Sequence, residues 1–182
     1  MNNIYIFDII NGLAGKSPLL NQIMVFSAKY IVAIIPLIII ALWLLREKES
    51  KMVAVFITLS VGIALLLGYL TKNFYYHPRP FAMGIGLDLV PDFPTSSFPS
   101  NHTTSMFALS FALLFVKRYK WAIISFPLAL LVGFSRIFIG VHFPFDILGS
   151  IAYGTIGTIT AMLLKTHLDF ITNKFIKLQI SK

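Results

Sequence analysis

Five long apolar runs constrain this chain more than any other feature of its sequence. They extend, approximately, over Met24 to Leu45, Met52 to Leu70, Thr103 to Val116, Trp121 to Val141 and Phe145 to Leu164. About 20 apolar residues in a helix cross the hydrocarbon core of a bilayer, and a backbone in lipid must satisfy its own hydrogen bonds. We therefore predict an all-α integral membrane protein, built as a bundle of about five transmembrane helices.

Composition supports this fold class. The chain is 57% hydrophobic and only 12% charged, whereas an ordinary soluble domain is about 25% charged. Its 182 residues suit one domain, so we predict a single membrane-embedded domain over residues 1–182. The first apolar stretch, Asn3 to Leu13, is too short to cross a bilayer and predicts a short N-terminal interfacial helix. The absence of cysteine excludes disulfides and cysteine nucleophiles.

Basic residues predict how the helices are oriented. The segments 46–51 and 117–120 carry three basic residues each, and the tail from Lys165 carries four. Alternating the five helices places all three segments on one side, which the positive-inside rule makes cytoplasmic. The C-terminus is then cytoplasmic, and the long polar loop from Thr71 to His102 faces outward. Because topology accounts for the net charge of +8, we expect membrane lipids as partners and no nucleic acid.

Ionisable side chains gather where the helices end on this outward side. They are Lys72, Arg79, His102, Arg136, His142 and Asp146. Alternating helices bring the end of the second and fourth runs, and the start of the third and fifth, to the same membrane face. Ionisable groups at membrane depth are costly and usually functional. We therefore predict one site at this face.

The positive groups of this cluster indicate a phosphate ligand. Guanidinium forks such as those of Arg79 and Arg136 match phosphate oxygens in pairs, and Lys72 adds a point charge. Ser100 precedes a helix, where its hydroxyl and the first backbone amides can donate to the same anion. This combination predicts phosphate binding.

The two histidines and the aspartate add catalytic chemistry. His142 and Asp146 are four residues apart, so a helical turn would place them together. A carboxylate bound to one imidazole nitrogen fixes the tautomer and leaves the other nitrogen free to attack. We interpret His142 as a nucleophile oriented by Asp146, and His102 as the acid that protonates the leaving oxygen.

Three segments in this region resemble the motifs of the type 2 phosphatidic-acid phosphatase superfamily. Residues 72–80 read KNFYYHPRP and resemble its Lys-x6-Arg-Pro motif, and residues 99–102 read PSNH and resemble its Pro-Ser-Gly-His motif. Residues 135–146 read SRIFIGVHFPFD and are similar to its Ser-Arg-x5-His-x3-Asp motif. The resemblance implies a metal-independent phosphatase that needs no cofactor and forms a phosphohistidine intermediate. It also implies a phosphate-binding role for Ser135, and the motif region covers residues 72–146.

One departure points to a subfamily. Asn101 stands where the superfamily has glycine, and its amide adds a donor and an acceptor among the phosphate-binding residues. Pro-Ser-Asn-His and the small five-helix layout resemble the bacitracin-resistance type of undecaprenyl pyrophosphate phosphatase. That likeness implies hydrolysis of undecaprenyl pyrophosphate at the outer membrane face, with recycling of the cell-wall lipid carrier.

Two alternatives remain open from the residues alone. The chain could act on phosphatidic acid or phosphatidylglycerol phosphate, or it could be a non-catalytic transporter of an anionic lipid. A pure binder has no need of a histidine–aspartate pair, which favours the enzyme. His77 matches no motif position, and we predict a surface histidine there.

Overall fold

Residues 3–90 and 93–165 are described by the computed structural model, and within them every regular element is helical. The helices are α1 (Asn3–Asn11), α2 (Pro18–Tyr30), α3 (Ile34–Leu44), α4 (Lys48–Phe74), α5 (Asn101–Phe115), α6 (Tyr119–Phe138) and α7 (Pro144–Leu163). The predicted all-α membrane class is confirmed, and the predicted N-terminal helix is present as α1.

Four helical stretches of the described chain are long and apolar enough to cross a membrane. They are Pro18–Leu44, Lys48–Phe74, Tyr119–Phe138 and Pro144–Leu163. The predicted third run forms α5, which has only 15 residues and a length of roughly 22 Å at 1.5 Å per residue. Helix α5 packs against α4, α6 and α7 and buries most of its side chains. Because most of its side chains pack against other helices, α5 need not match the bilayer thickness.

The first span is interrupted near its middle. Helices α2 and α3 are joined by a 3₁₀ turn at Ile31–Ala33. Pro36 follows in the first turn of α3, where it has no N–H to donate to the carbonyl of Val32 and its ring crowds that carbonyl. The tighter 3₁₀ turn accommodates this missing bond. At its other end, α2 begins with Ser17 as N-cap and Pro18 at the first helical position, a favoured pairing.

Small residues allow α7 to lie close to its neighbours. A Cβ atom added at Gly157 would lie 2.6 Å from the Cβ and 2.7 Å from the backbone nitrogen of Ala64 on α4. One added at Gly154 would lie 2.9 Å from the backbone nitrogen of Ala108 on α5. Glycine at these positions lets backbones approach each other directly, as is common between membrane helices.

Replacing Gly157 with alanine is therefore expected to separate α4 from α7. The overpacking should lower the free energy of unfolding by about 1–3 kcal/mol, measured as a lower thermal midpoint in detergent. Gly62 on α4 is the matched control, because nothing lies within 4 Å of a Cβ added there. An equal loss of stability in Gly62→Ala and Gly157→Ala would contradict the close approach of the two helices.

Helix α1 ties the long loop to the end of α6. The buried side chain of Asn11 donates to the carbonyls of Leu87, at 2.9 Å, and Phe138, at 2.8 Å, and accepts from the Leu87 N–H at 2.7 Å. Gly140, at φ +87°, lies under this segment, and an added Cβ would come 2.4 Å from the Leu87 carbonyl oxygen. The loop is thereby fastened to the turn that follows α6, where the candidate site lies.

Candidate active site

The turn between α6 and α7 holds a buried histidine–aspartate pair. His142 lies in this turn and is 2% exposed, and Asp146, in the first turn of α7, is 1% exposed. The His142 Nδ1 atom lies 3.4 Å from Asp146 Oδ2 and 3.2 Å from the hydroxyl oxygen of Ser97. The Nδ1 atom of the imidazole therefore faces the Asp146 carboxylate and the Ser97 hydroxyl.

The carboxylate of Asp146 is held from several directions. Its Oδ2 atom accepts the backbone N–H of Phe143 at 2.8 Å, and the Ser97 hydroxyl also donates to it. The backbone N–H of Asp146 donates in return to the Phe143 carbonyl at 3.0 Å. These reciprocal bonds cap the start of α7 and fix the carboxylate. A carboxylate facing Nδ1 favours the tautomer that carries its proton there, which leaves the Nε2 lone pair available.

Arg79 lies beside this pair although it comes from the distant loop. Its guanidinium donates to the Thr95 carbonyl at 3.3 Å and the Thr95 hydroxyl at 3.2 Å. A third contact of 3.4 Å reaches the carbonyl of Val141, the residue that precedes His142. These bonds attach the buried Arg79 side chain both to the long loop, at Thr95, and to the turn after α6, at Val141.

Arg136 approaches from the last turn of α6. It is buried, and its Nη1 atom donates to the carbonyl of Ala28 on α2 at 3.5 Å. Both arginines act on His142 from buried positions, where water screens charges less than it does at the surface.

These surroundings keep His142 neutral. Burial lowers the pKa of His142 from 6.5 to about 3, and the positive charges of Arg136 and Arg79 act in the same direction. The hydrogen bond and the charge of Asp146 oppose them but do not reverse the shift. A neutral imidazole has the lone pair that a nucleophile needs.

The lowered pKa predicts how stability depends on pH. Between pH 6.5 and about 3, unfolded His142 binds a proton that the folded protein excludes, so the free energy of unfolding decreases as the pH falls below 6.5. His142→Gln lacks this titration. Lowering the pH from 8 to 5.5 should therefore reduce the free energy of unfolding of the wild type by roughly 1 kcal/mol more than that of His142→Gln. Thermal unfolding of both proteins at the two pH values measures the difference. A constant gap between them would contradict a neutral buried His142.

Lys72 and Asn101 meet across the site. Lys72 lies in the last turn of α4 and Asn101 is the first residue of α5. The Lys72 ammonium group donates to the Asn101 side-chain oxygen at 3.0 Å. The next residue, His102, is half-buried at the same helix end. The asparagine that departs from the superfamily motif therefore holds the lysine in this structure.

The two predicted serines differ in their surroundings. Ser100 is buried, and its backbone N–H and carbonyl both bond to the hydroxyl of Ser150 on α7, at 3.0 and 3.1 Å. Ser135 points its hydroxyl at the Leu131 carbonyl, 2.7 Å away, and at the sulfur of Met24. Phosphate binding by Ser135 would require that its hydroxyl leave that carbonyl.

Sequence reasoning missed two side chains of the site. Ser97 bonds to both His142 and Asp146, as described above. His77 is only 28% exposed, and its Nδ1 atom lies 3.6 Å from Asp146 Oδ1, so the structure does not support a plain surface histidine. The sequence indicates each of them only by its neighbours: His77 falls inside the first motif, and Ser97 lies three residues before Ser100.

Some sequence-based expectations lie outside the described residues. They concern the basic tail beyond Lys165, which the positive-inside rule predicts to be cytoplasmic. Among residues 3–90 and 93–165, no group of three or more histidine, aspartate or glutamate side chains is arranged to hold a metal ion.

Comparison with known proteins identifies the family. The sequence profile of the PAP2 superfamily matches residues 52–168, which include every residue of the site. The chain belongs to the PAP2 superfamily. This confirms the resemblance on which the sequence analysis relied, and the chain is a membrane-embedded lipid phosphatase of the PAP2 type.

Individual relatives agree with this assignment. The chain is 37% identical over 155 residues to the undecaprenyl-diphosphatase BcrC of Bacillus subtilis, covering 85% of this chain and 79% of that protein. It is 29% identical to the bacitracin transport permease protein BcrC of Bacillus licheniformis, covering 93% and 83% of the two chains. The fold is similar, with a TM-score of 0.70, to a PAP2-type phosphatidylglycerolphosphate phosphatase from Bacillus subtilis. That match has 22% identity and covers 91% of this chain and 85% of that one.

Proposed function

We propose that this PAP2 protein hydrolyses undecaprenyl diphosphate to undecaprenyl phosphate and inorganic phosphate, with His142 as nucleophile. The observation that carries the reaction type is the buried His142–Asp146 pair with Arg79 beside it. The substrate rests on the 37% identity with the undecaprenyl-diphosphatase of Bacillus subtilis. Asn101, the residue that departs from the general motif, supports the same subfamily, and in this structure it bonds to Lys72.

The first chemical step transfers the terminal phosphoryl group. The Nε2 lone pair of His142 attacks the terminal phosphorus, and the bond from that phosphorus to the bridging oxygen breaks. The bridging oxygen leaves with undecaprenyl phosphate, and His102 supplies a proton to it. Arg79, Arg136 and Lys72 neutralise the charge on the transferred oxygens, the largest single contribution in many enzymes of this kind.

The second step returns the histidine to its starting state. Water attacks the phosphorus of the phosphohistidine, and His102, now neutral, removes a proton from that water. The nitrogen–phosphorus bond breaks, and phosphate is released. Asp146 stabilises the positive imidazole ring that exists between the steps, as a carboxylate does for a catalytic histidine elsewhere.

We place this site on the extracytoplasmic face. The basic segments at residues 46–51 and 117–120 join α3 to α4 and α5 to α6, at the opposite end of the helices from His142. The positive-inside rule assigns such segments to the cytoplasm. The lipid diphosphate would then meet the arginines from the outer leaflet.

A transporter is the second candidate, because one relative is named a bacitracin transport permease protein. Binding and transfer of an anionic lipid would need the positive groups but no nucleophile. If the His142→Ala variant retained the activity of the wild type, a transporter would be favoured. Loss of that activity in the variant favours the phosphatase.

Phosphate release by the purified protein in excess EDTA tests the proposal. The substrates are undecaprenyl diphosphate, phosphatidic acid and phosphatidylglycerol phosphate, and His142→Ala is the control. We expect release from undecaprenyl diphosphate to be fastest, insensitive to EDTA and absent in the variant. Preference for a glycerophospholipid would overturn the substrate, and no release from any of the three would overturn the function.

A further inference from the structure

His77 is built into the site without a role in the steps above. Its ring lies between two aromatic side chains, stacked on Tyr75 with centroids 6.1 Å apart and edge-on to Phe143 at 5.5 Å. Its backbone is fixed as well: the N–H donates to the Ser96 hydroxyl at 3.1 Å, and the carbonyl accepts the Ser97 N–H at 2.7 Å. The imidazole ring therefore contacts two aromatic side chains, and the backbone that carries it is hydrogen-bonded through both its N–H and its carbonyl.

The fixed ring directs its Nδ1 atom at the carboxylate of Asp146. This nitrogen is buried, and it forms no hydrogen bond to any residue in the described part of the chain. It lies 3.6 Å from Asp146 Oδ1, although 28% of the side chain is exposed. A buried polar atom without a partner is unfavourable and calls for a functional explanation.

The two oxygens of Asp146 face different histidines. Oδ2 accepts the bonds from Phe143 and Ser97 and faces His142, whereas Oδ1 faces His77. A carboxylate has capacity for about four hydrogen bonds, so Oδ1 can accept a further donor. Shortening the 3.6 Å distance by about 0.5 Å would form an ordinary N–H···O bond.

We propose that His77 is a positioning residue that donates its Nδ1–H to Asp146 Oδ1 when substrate is bound, and so holds that carboxylate against His142. This inference rests on the proposed phosphatase function and names a further residue of the same site. Catalytic hydrogen bonds are often long in the free enzyme and shorten in the complex with substrate.

The chemistry of the reaction explains why such a bond is useful. His142 gains a full positive charge when its Nε2 bonds to phosphorus, so the carboxylate opposite Nδ1 must stay in place during that step. The bonds from Phe143 and Ser97 hold the carboxylate through Oδ2. A donor on Oδ1 adds a second restraint against rotation about the Cβ–Cγ bond, and a misplacement of about 1 Å can cost a hundredfold in rate.

Two substitutions separate this role from packing. His77→Leu keeps apolar contact with Tyr75 and Phe143 but removes the donor. His77→Asn keeps a donor, because its side-chain NH₂ takes the position of Nδ1–H. We expect His77→Leu to lower kcat about ten- to a hundredfold, as for one hydrogen bond to a charged group, with KM changed less than about twofold. His77→Asn is expected to recover most of the loss.

A double-mutant comparison tests whether the effect passes through Asp146. In an Asp146→Ala background the carboxylate is absent, so His77→Leu should cost less than about twofold further. Equal losses in His77→Leu and His77→Asn, or a full additional loss in the Asp146→Ala background, would overturn the proposal while leaving the phosphatase intact. An inactive wild type would instead defeat the proposed function, and this inference with it.

Discussion

Replacing His142 with glutamine is expected to abolish phosphate release, with a loss of about 10⁴-fold or more in kcat. The glutamine amide can still bond to Asp146, but it cannot form a covalent bond to phosphorus. The buried position of His142, with its Nδ1 edge held by Ser97 and Asp146, leaves only Nε2 for that bond. The measurement is phosphate release from undecaprenyl diphosphate at saturating substrate.

The control for this prediction is a second buried polar residue far from the site. Ser110 lies inside α5, and within the described chain its hydroxyl hydrogen-bonds to the Met106 carbonyl of the same helix, at 2.9 Å. Ser110→Ala should retain activity within about twofold, since such a bond has little net value. Full activity in a folded His142→Gln protein would rule out His142 as the nucleophile.

Replacing Arg79 with lysine is expected to lower kcat about 10²- to 10³-fold, the cost of one preorganised donor to a developing anion. Lysine keeps the charge but has no planar fork. Its single nitrogen cannot reproduce the contacts that three separate guanidinium nitrogens of Arg79 make to Thr95 and to the carbonyl of Val141. The position of the charge beside His142 is lost even though the charge remains.

Arg118→Lys is the matched control for this change. Arg118 forms an ion pair with Glu49 at 2.9 Å, and both side chains are well exposed. This pair lies at the opposite end of the helices from His142, and exposed ion pairs contribute little. We expect less than a twofold change in activity. Similar losses in Arg79→Lys and Arg118→Lys would show that the arginine geometry at the site is unimportant.

The helices could be predicted because lipid imposes a simple rule on the sequence. Each predicted run overlaps a helix, and the ends differ by a few residues, as at Lys48–Phe74, which was predicted from Met52 to Leu70. The membrane requires about 20 apolar residues per span, so the signal is long and uniform. The run from Thr103 to Val116 predicts a fifth span; the structure has a helix there, but α5, at 15 residues, is not among the four stretches of the described chain that are long enough to cross a membrane.

The site could be predicted in part. Alternation of helices correctly placed His142, Asp146, Arg79 and Arg136 at the same end of the bundle. The side-chain partners could not be predicted, because they join segments far apart in sequence: Ser97 and Asp146 are 49 residues apart, and Asn11 and Phe138 are 127 apart. No periodicity or local motif records such contacts.

His77 shows the same limit most clearly. His77 falls inside the first motif but matches none of its fixed positions, so the sequence does not distinguish a solvated side chain from one packed on a catalytic carboxylate. What decides its position is the pairing of its backbone with Ser96 and Ser97, which depends on how the whole loop folds back. Asn101 is intermediate, since its departure from the motif was visible but its bond to Lys72 was not.

The central claim is that a phosphoryl group passes through His142, and trapping that intermediate tests it most directly. Undecaprenyl diphosphate labelled in its terminal phosphate is mixed with the wild type and with the His102→Ala variant, in which formation and hydrolysis of the intermediate should both be slow, and the reactions are quenched in base at successive times. We predict label on the protein that is stable in base, is lost in acid and maps to His142 by mass spectrometry. Label on another residue, or turnover by wild type and variant with no labelled protein at any time, would contradict the account.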